Sequence, residues 1–316
     1  MNYMITLAKE TGLWFVWFPL RSILKHLPIR LLYAAADVFS PLYCLLSKKR
    51  RVLVTEEVRR LYGDRYNKKE LESVVKRSFR IHAKRQLENV FFGQLTKEKL
   101  DRIVSIQGFD HLQQVLQKNN GAILLLAHFG SFLLPLPVLG FKGYKVMQLG
   151  GKPLIEGTRP IHKKIFELRK NETDKMPFQF SRADQYLGSV VRALKNNEIV
   201  VIAFDGRTGS KWIPVPLINR IAEFSPGPFN LAIKTGAAIL PTFVVRGRDN
   251  NHTIVFEPPM DLEITENQED ARKKSTERYS KIFERYLLRY PCHFASILYS
   301  VRQEAQRGLN RPLFID

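Results

Sequence analysis

The order of apolar and polar positions predicts a helical N-terminal part of the chain. Apolar runs at 13–20 and 31–46 are each interrupted or closed by basic residues. From 68 to 92, apolar residues recur at helical spacing with Lys and Arg between them, which is typical of an amphipathic helix. Core packing explains that stripe, and we assign it no chemistry. We place a helical, membrane-associated region at residues 1–95.

After Gly121 the pattern changes to continuous apolar runs, which predict strands that are buried on both faces. Ser181 and Asp184 resemble a capping box that opens a helix through Lys195. The predicted strands lie at 122–126, 199–204, 238–245 and 253–256, and further helices are predicted at 226–235 and 268–289. Alternating strands and helices indicate an α/β fold with a central mixed, mainly parallel sheet flanked by helices. We assign residues 96–316 to this domain.

The N-terminal apolar runs favour attachment to a membrane surface. A spanning helix needs roughly 20 apolar residues, and neither run reaches that length without a charge or a proline. Trp14, Phe15, Trp17 and Phe18 stand close to basic residues, as in an interfacial anchor. An ordinary buried helical hairpin is the alternative interpretation.

Charge and composition limit the classes of partner that we expect. The 316 residues include 50 Lys and Arg against 30 Asp and Glu, a net charge of +20, which favours anionic partners such as acidic headgroups or an acidic carrier protein. Each basic residue near an anionic leaflet contributes about 1 kcal/mol. No nucleic-acid-binding motif is recognisable, so nucleic acid is not an expected partner. The two cysteines, Cys44 and Cys292, argue against a disulfide framework or a zinc site.

His128 is the first candidate for chemistry, because it directly follows the strand predicted at 122–126. Ligands of open α/β sheets bind beyond the carboxyl ends of strands. Gly130 and Ser131 permit a tight turn, and amides there could stabilise developing negative charge. A neutral imidazole at this point could accept a proton from an alcohol. A histidine that merely caps a strand end is the competing interpretation.

Asp205 follows a second predicted strand, so it could converge with His128 and orient its ring. Asp-Gly is also a common turn dipeptide, which leaves a purely structural interpretation open. Arg207 and Lys211 in the same loop could neutralise a phosphate or could simply be solvated. The other histidines show no metal-ligand spacing, and no phosphate-cradling or dinucleotide motif is present, so neither a metal nor a cofactor is expected.

Three separated segments resemble the lipid A biosynthesis (lauroyl/myristoyl) acyltransferase family, within the lysophospholipid acyltransferase superfamily. Residues 122–132 read Ala-Ile-Leu-Leu-Leu-Ala-His-Phe-Gly-Ser-Phe, and residues 194–205 read Leu-Lys-Asn-Asn-Glu-Ile-Val-Val-Ile-Ala-Phe-Asp. The third segment, 229–246, ends in Pro-Thr-Phe-Val-Val-Arg. All three occur in the family's order along nearly the whole chain.

The resemblance implies an enzyme on the cytoplasmic face of the bacterial inner membrane, attached peripherally or by a single N-terminal anchor. Such an enzyme moves an acyl group from acyl carrier protein or acyl-CoA to a hydroxyl of an anionic lipid or glycolipid, such as a lipid A precursor. On that basis His128 is expected to be the general base and Asp205 its partner, with Gly130 and Ser131 at the oxyanion. Arg207 and Arg246 are candidate phosphate contacts.

The chain departs from the family pattern where the family has an acid five positions after the histidine. Leu133 stands there, and Ser131-Phe132 replaces Asn-Trp; the C-terminal paired-arginine motif is also missing. Three explanations remain open. The acid has moved, to Asp205 or less favourably Glu156; or His128 acts alone on an easier donor, such as an aminoacyl or other thioester-bound group; or the chain is an inactive lipid-binding member.

Overall fold

The N-terminal part of the protein is helical, as the apolar spacing predicted. The computed structural model describes residues 10–151, 159–184, 187–262 and 268–315. A π-helical turn at Val16–Leu20 leads into the helices α1 (Arg21–Leu24), α2 (Ile29–Leu46), α3 (Lys48–Tyr62), α4 (Lys68–Phe91) and α5 (Lys97–Asp101). Helix α4 begins at a capping box, in which the Asn67 side chain accepts from the amides of Lys69 and Glu70 and the Glu70 carboxylate accepts from the Asn67 amide.

The remainder is built around a seven-stranded sheet. Its strands are β1 (Val104–Gln107), β2 (Ala122–Leu126), β3 (Val146–Gly150), β4 (Gln179–Arg182), β5 (Ile199–Ala203), β8 (Ala238–Arg246) and β9 (His252–Phe256). They lie in the order β1-β9-β8-β2-β5-β3-β4. Every neighbouring pair is parallel except β8 and β9. The predicted α/β class with a mixed, mainly parallel sheet is therefore confirmed.

Helices cover both faces of this sheet. They are α6 (Phe109–Leu116), α7 (Pro135–Phe141), α8 (Pro160–Thr173), α9 (Gly188–Lys195), α10 (Gly227–Thr235), α11 (Gln268–Arg289) and α12 (Pro291–Gln306), and β6 (Ile213–Leu217) pairs antiparallel with β7 (Arg220–Phe224). Strand β2 is fully buried, and its alternate residues join two separate apolar cores: Ile123 and Leu125 one, Leu124 and Leu126 the other. Period-two alternation thus places β2 between both helical layers.

The last helix, α12, connects the C-terminal part to the N-terminal helices, since it packs against α3 and α4. Arg50 at the start of α3 donates to the carbonyl oxygen of Ser296 on α12 at 3.4 Å. This hydrogen bond joins the N-terminal helices to the C-terminal part of the chain. The division at residue 95 stays a prediction.

One predicted helix start is wrong. Ser181 lies in strand β4, which pairs with β3, and the helix begins only at Gly188. The Asp184 carboxylate receives the Arg182 side chain at 2.7 Å instead of capping a helix. Sheet pairing of Gln179–Arg182 overrides the local capping signal, because four ladder residues outweigh one side-chain bond.

Candidate active site

His128 and Asp205 come together at the edge of the sheet because their strands are parallel neighbours in matched register. Leu126 at the end of β2 pairs with Ala203 at the end of β5. His128 lies two residues after Leu126, and Asp205 lies two residues after Ala203. Parallel strands end at the same edge, which is where ligands of such sheets bind.

The Asp205 carboxylate holds His128 through three hydrogen bonds. Its Oδ1 atom lies 2.9 Å from His128 Nδ1. Both carboxylate oxygens also accept from the backbone N–H of His128, at 3.0 Å each. The Asp205 side chain is 2% exposed, whereas the His128 side chain is 39% exposed. Because an ionised carboxylate only accepts, Nδ1 carries a hydrogen, and in the neutral ring Nε2 therefore keeps its lone pair.

The pair stabilises its charged forms. Burial opposes the charge of each group, but the Asp205 carboxylate outweighs it and raises the pKa of His128 above its ordinary value. Burial likewise opposes ionisation of Asp205, yet the nearby His128 ring and the hydrogen bonds from its Nδ1 and from the His128 backbone N–H lower the pKa of Asp205. Asp205 is therefore an ionised partner at neutral pH, and His128 is poised for proton transfer.

His128 faces a large cleft. The cavity has a volume of about 1370 Å³, with His128 and Asp205 in its wall. The Phe132 ring meets the His128 ring edge-on, with 4.6 Å between centroids. Much of the remaining wall is apolar and includes Leu133, Leu149, Phe180, Leu187, Ile297, Val301 and Leu309. Such a cleft can hold a long aliphatic chain beside the histidine.

Gly130 and Ser131 form the turn that follows His128. Gly130 has φ +58°, and a Cβ there would collide with the Val244 carbonyl oxygen, so the predicted tight turn needs glycine. Ser131 is buried, and its hydroxyl donates to Glu88 Oε2 at 2.5 Å. The Ser131 side chain therefore lies behind the cleft wall and not in the cleft.

Arg246 lies in a buried group that we call the Glu88 cluster: Tyr33, Glu88, Ser131, Arg246 and His252. Its guanidinium donates to Glu88 and stacks over the Tyr33 ring, 4.6 Å from the centroid. Glu88 also accepts from the Tyr33 hydroxyl at 2.7 Å. The expected phosphate contact does not fit this placement, because Arg246 is 8% exposed and already paired with a carboxylate.

Arg207 lines the cleft, but backbone carbonyls occupy its guanidinium. It donates to the carbonyl oxygens of Asp205, Glu223 and Pro312, at 3.0, 2.7 and 3.2 Å. The guanidinium also lies over the Trp212 ring, with its carbon 4.6 Å from the ring centroid. Arg207 thus connects the Asp205 loop to strand β7 and to the C-terminal segment.

Helix α4 supplies functional candidates that the sequence pattern did not reveal. Glu88 and Arg85 are both buried, and Arg85 lines the cleft. The helical spacing of apolar residues in this stripe predicts core packing alone. One sequence signal could have revealed them. Arg85 and Glu88 are three residues apart, so they share one face of the helix, which is also the face that carries apolar residues.

Among the described residues, no group of three or more His, Cys, Asp or Glu side chains could hold a metal ion. Glu156, the weaker candidate for the displaced acid, lies outside the described residues.

Comparison with known proteins gives a family match and a similar curated protein. The model of the family described as bacterial lipid A biosynthesis acyltransferase matches residues 4–298. The chain is also similar to a phosphatidylinositol mannoside acyltransferase of Mycobacterium tuberculosis (strain CDC 1551 / Oshkosh), with 25% identity over 149 residues. That match covers 46% of this chain and 44% of the relative, so the chain spans less than half of the curated relative. Because the family match extends over nearly the whole chain, the protein belongs to the bacterial lipid A biosynthesis acyltransferase family.

Proposed function

We propose that this protein transfers an acyl group from a thioester donor to a hydroxyl of a membrane lipid, with His128 as general base. The observation that carries the proposal is the 2.9 Å contact between His128 and a buried Asp205, beside a large and partly apolar cleft. Family membership supports the same reaction class.

The reaction is a direct transfer. His128 Nε2 takes the proton of the acceptor hydroxyl while its oxygen attacks the thioester carbonyl carbon. The C–S bond of the tetrahedral intermediate then breaks, and the thiolate leaves with the proton from His128. Asp205 stabilises the transient imidazolium and keeps the ring in the required tautomer. Asp205 thereby replaces the acid that the family carries at the position of Leu133.

The amides of Gly130 and Ser131 are our proposed contacts for the oxyanion. They lie two and three residues after His128, and the positive φ of Gly130 turns the backbone sharply at this point. Preorganised amides at such a turn stabilise negative charge that develops on the carbonyl oxygen. The hydrogen bond from Ser131 to Glu88 holds this turn in place. The hydrogen bond from Arg207 to the carbonyl oxygen of Asp205 holds the Asp205 loop.

We propose acyl carrier protein or acyl-CoA as the donor and an anionic lipid or glycolipid, such as a lipid A precursor, as the acceptor. The apolar cleft wall suits a fatty chain, and the net charge of +20 suits an acidic carrier and an anionic headgroup. Neither a metal nor a cofactor has a step in this mechanism.

Attachment to the cytoplasmic face of the bacterial inner membrane completes the proposal. Within the described residues, α2 is the one helix that is long and apolar enough to cross a bilayer, with 28% of it buried. Its inner face is joined to α4 by the Lys84–Asp37 ion pair at 2.7 Å. Its outer face exposes Leu31, Val38, Phe39, Leu42, Leu45 and Leu46. Because its other face is buried against the protein, this exposed apolar face suits contact with a membrane surface along the length of the helix.

Vesicle sedimentation tests this attachment. Val38→Glu combined with Leu42→Glu should release the protein from phosphatidylglycerol vesicles. Ile233→Glu, at an exposed apolar position on α10, is the matched control and should leave binding unchanged. Equal binding of both variants would show that α2 is not the attachment surface.

Lipid mass spectrometry tests the reaction itself. Cells with the wild-type gene should contain one lipid class with an added acyl mass, and cells with His128→Ala should lack it, because the base contributes about 10²–10⁴-fold in rate. The same mass shift with purified protein, donor and extracted lipid identifies donor and acceptor. An unchanged lipidome would reject the enzyme and favour a lipid-binding protein.

A further inference from the structure

Arg85 is a buried cation that no carboxylate of the described residues pairs with. It lies on α4, is 9% exposed, and lines the cleft that contains His128. Its one hydrogen bond within the described part of the chain joins Nη2 to His82 Nδ1 at 3.5 Å. That nitrogen also lies 3.1 Å from Arg50 Nη2, so His82 is shared between two guanidiniums. A buried guanidinium is normally paired, and Arg85 therefore calls for an anion.

The carboxylate nearest in sequence does not fill this role. Glu88 stands one turn after Arg85, but its Oε2 accepts from Ser131. Its Oε1 accepts from Tyr33 and Arg246. No carboxylate of the described residues lies within ion-pair distance of Arg85. Burial and the charge of Arg50 lower the pKa of Arg85 to about 10, against the smaller opposite effect of Glu88.

The surroundings of Arg85 include the position where the family's acid is missing. Arg85, Asn89, Phe132 and Leu133 all line the cleft, and all four also line a small adjoining cavity. Arg85 and Asn89 are four residues apart, so they lie on one face of α4. An acid at position 133 would have placed a carboxylate in this same wall. With leucine there, the guanidinium is left for a ligand.

We infer that Arg85 and Asn89 form an anion-binding subsite of the cleft that holds a phosphate ester group of a substrate. A guanidinium binds two phosphate oxygens at once, and the Asn89 amide can donate to a third. The subsite and His128 share one cleft, since Arg85, Asn89 and His128 all line it. A phosphate bound there would position its molecule next to the reacting hydroxyl or thioester.

The assignment of the phosphate to a substrate rests on the proposed acyl transfer, whereas the binding of free phosphate does not. Binding is therefore measured first, with inorganic phosphate and purified full-length protein, by calorimetry. Arg85→Gln should weaken phosphate binding by about tenfold or more, which corresponds to the loss of one charge-assisted contact. Removing an unpaired buried cation should leave the melting temperature unchanged or higher.

Leu133→Glu is the second variant, because it returns a carboxylate to the wall that Arg85 lines. It should also weaken phosphate binding about tenfold or more, by pairing with the guanidinium. Leu133→Gln, of equal size and no charge, is its matched control and should bind phosphate within about threefold of wild type. Wild-type protein that fails to bind millimolar phosphate, or equal binding by wild type, Arg85→Gln and Leu133→Glu, would overturn the inference.

Kinetics then identify the source of the phosphate. With acyl-CoA, Arg85→Gln should raise KM for the phosphate-bearing substrate about tenfold and change kcat much less. If the defect disappears with an acyl thioester of N-acetylcysteamine, which lacks phosphate, the donor supplies the group. If it persists, the acceptor lipid supplies it. Intact phosphate binding by a protein that transfers no acyl group would refute the proposed function and leave the anion site standing.

Discussion

Two buried carboxylates flank the turn at residues 128–131, and they differ in what they hold. Asp205 accepts from His128, whose side chain is 39% exposed to the cleft. Glu88 accepts from Ser131 and Arg246, and the Arg246 side chain is only 5% exposed. One carboxylate therefore orients a group that can meet a substrate, and the other stabilises a charge that cannot.

The comparison shows that access to the cleft, and not the presence of a buried charge pair, separates chemistry from scaffolding. Burial and hydrogen bonding are similar for Asp205 and Glu88. Loss of Glu88 should therefore be measured chiefly in folding, and loss of Asp205 chiefly in turnover. Four experiments can break or sharpen that contrast.

The largest effect is expected for Glu88→Ala, which leaves Arg246 buried and unpaired. The free energy of unfolding should fall by about 3–5 kcal/mol, as for other broken buried ion pairs. Urea unfolding followed by circular dichroism measures it. Glu72→Ala, at an exposed position on the same helix, is the control and should change stability by less than about 0.5 kcal/mol. An unfolding curve like that of wild type would show that the Glu88 cluster is not structural.

Asp205→Asn should lower turnover about 100-fold, because the amide donates toward Nδ1 and leaves the proton on Nε2. Stability should fall less than in Glu88→Ala, since the side chain keeps its shape and an oxygen for the His128 amide. Acyl-transfer rates and melting temperatures of the two variants make the contrast direct. Unreduced turnover would assign the orienting role elsewhere.

Ser131→Ala removes one hydrogen bond to the Glu88 carboxylate and should cost about 1.5 kcal/mol of unfolding free energy. Ser210→Ala, at an exposed position of the cleft loop, serves as the control. Turnover should decrease only as far as the turn loosens. A turnover loss as large as that of Asp205→Asn would move Ser131 from the scaffold into the chemistry.

The smallest effect is a displaced pH profile. The base form of His128 is active, and Asp205 raises the pKa of His128 above its ordinary value of 6.5, so turnover should rise with pH through that raised pKa. Asp205→Asn removes the carboxylate that raises this pKa, so the acid limb of the variant's pH profile should move to lower pH. The profile of kcat/KM, the constant for the free enzyme, measures this. Coincident limbs would show that the carboxylate does not tune the ring.

Local patterns were sufficient for much of the fold. The apolar runs predicted β2, β5, β8 and β9 within a residue or two. For β2, β5 and β8 the reason is burial on both faces, which leaves no polar alternation to obscure the strand. Strands β1, β3 and β4 escaped prediction, since their burial is only partial. Their place depends on neighbours that a local pattern does not contain.

The candidate site divides in the same way. His128 and Asp205 were identified from the sequence because each follows a recognisable buried strand, and parallel strands end at one edge. Glu88 and Arg85 were not, because a charged residue within an amphipathic helix is usually solvated. The packing of α4 against α2, α12 and the turn after β2 buries them.

By itself, then, the sequence determined the α/β class, the family and the two strand ends that deliver His128 and Asp205. These follow from short-range periodicity and from motifs that the chain carries in order. The tertiary structure decided that Arg246 is paired with Glu88 and that Arg207 is bound by carbonyls. It also decided that Arg85 lines the cleft with Leu133 and has no carboxylate partner among the described residues. Most of these partners lie far away along the chain, and the energy of a buried charge depends on its desolvation and on its contacts with such partners, which a local sequence pattern does not contain.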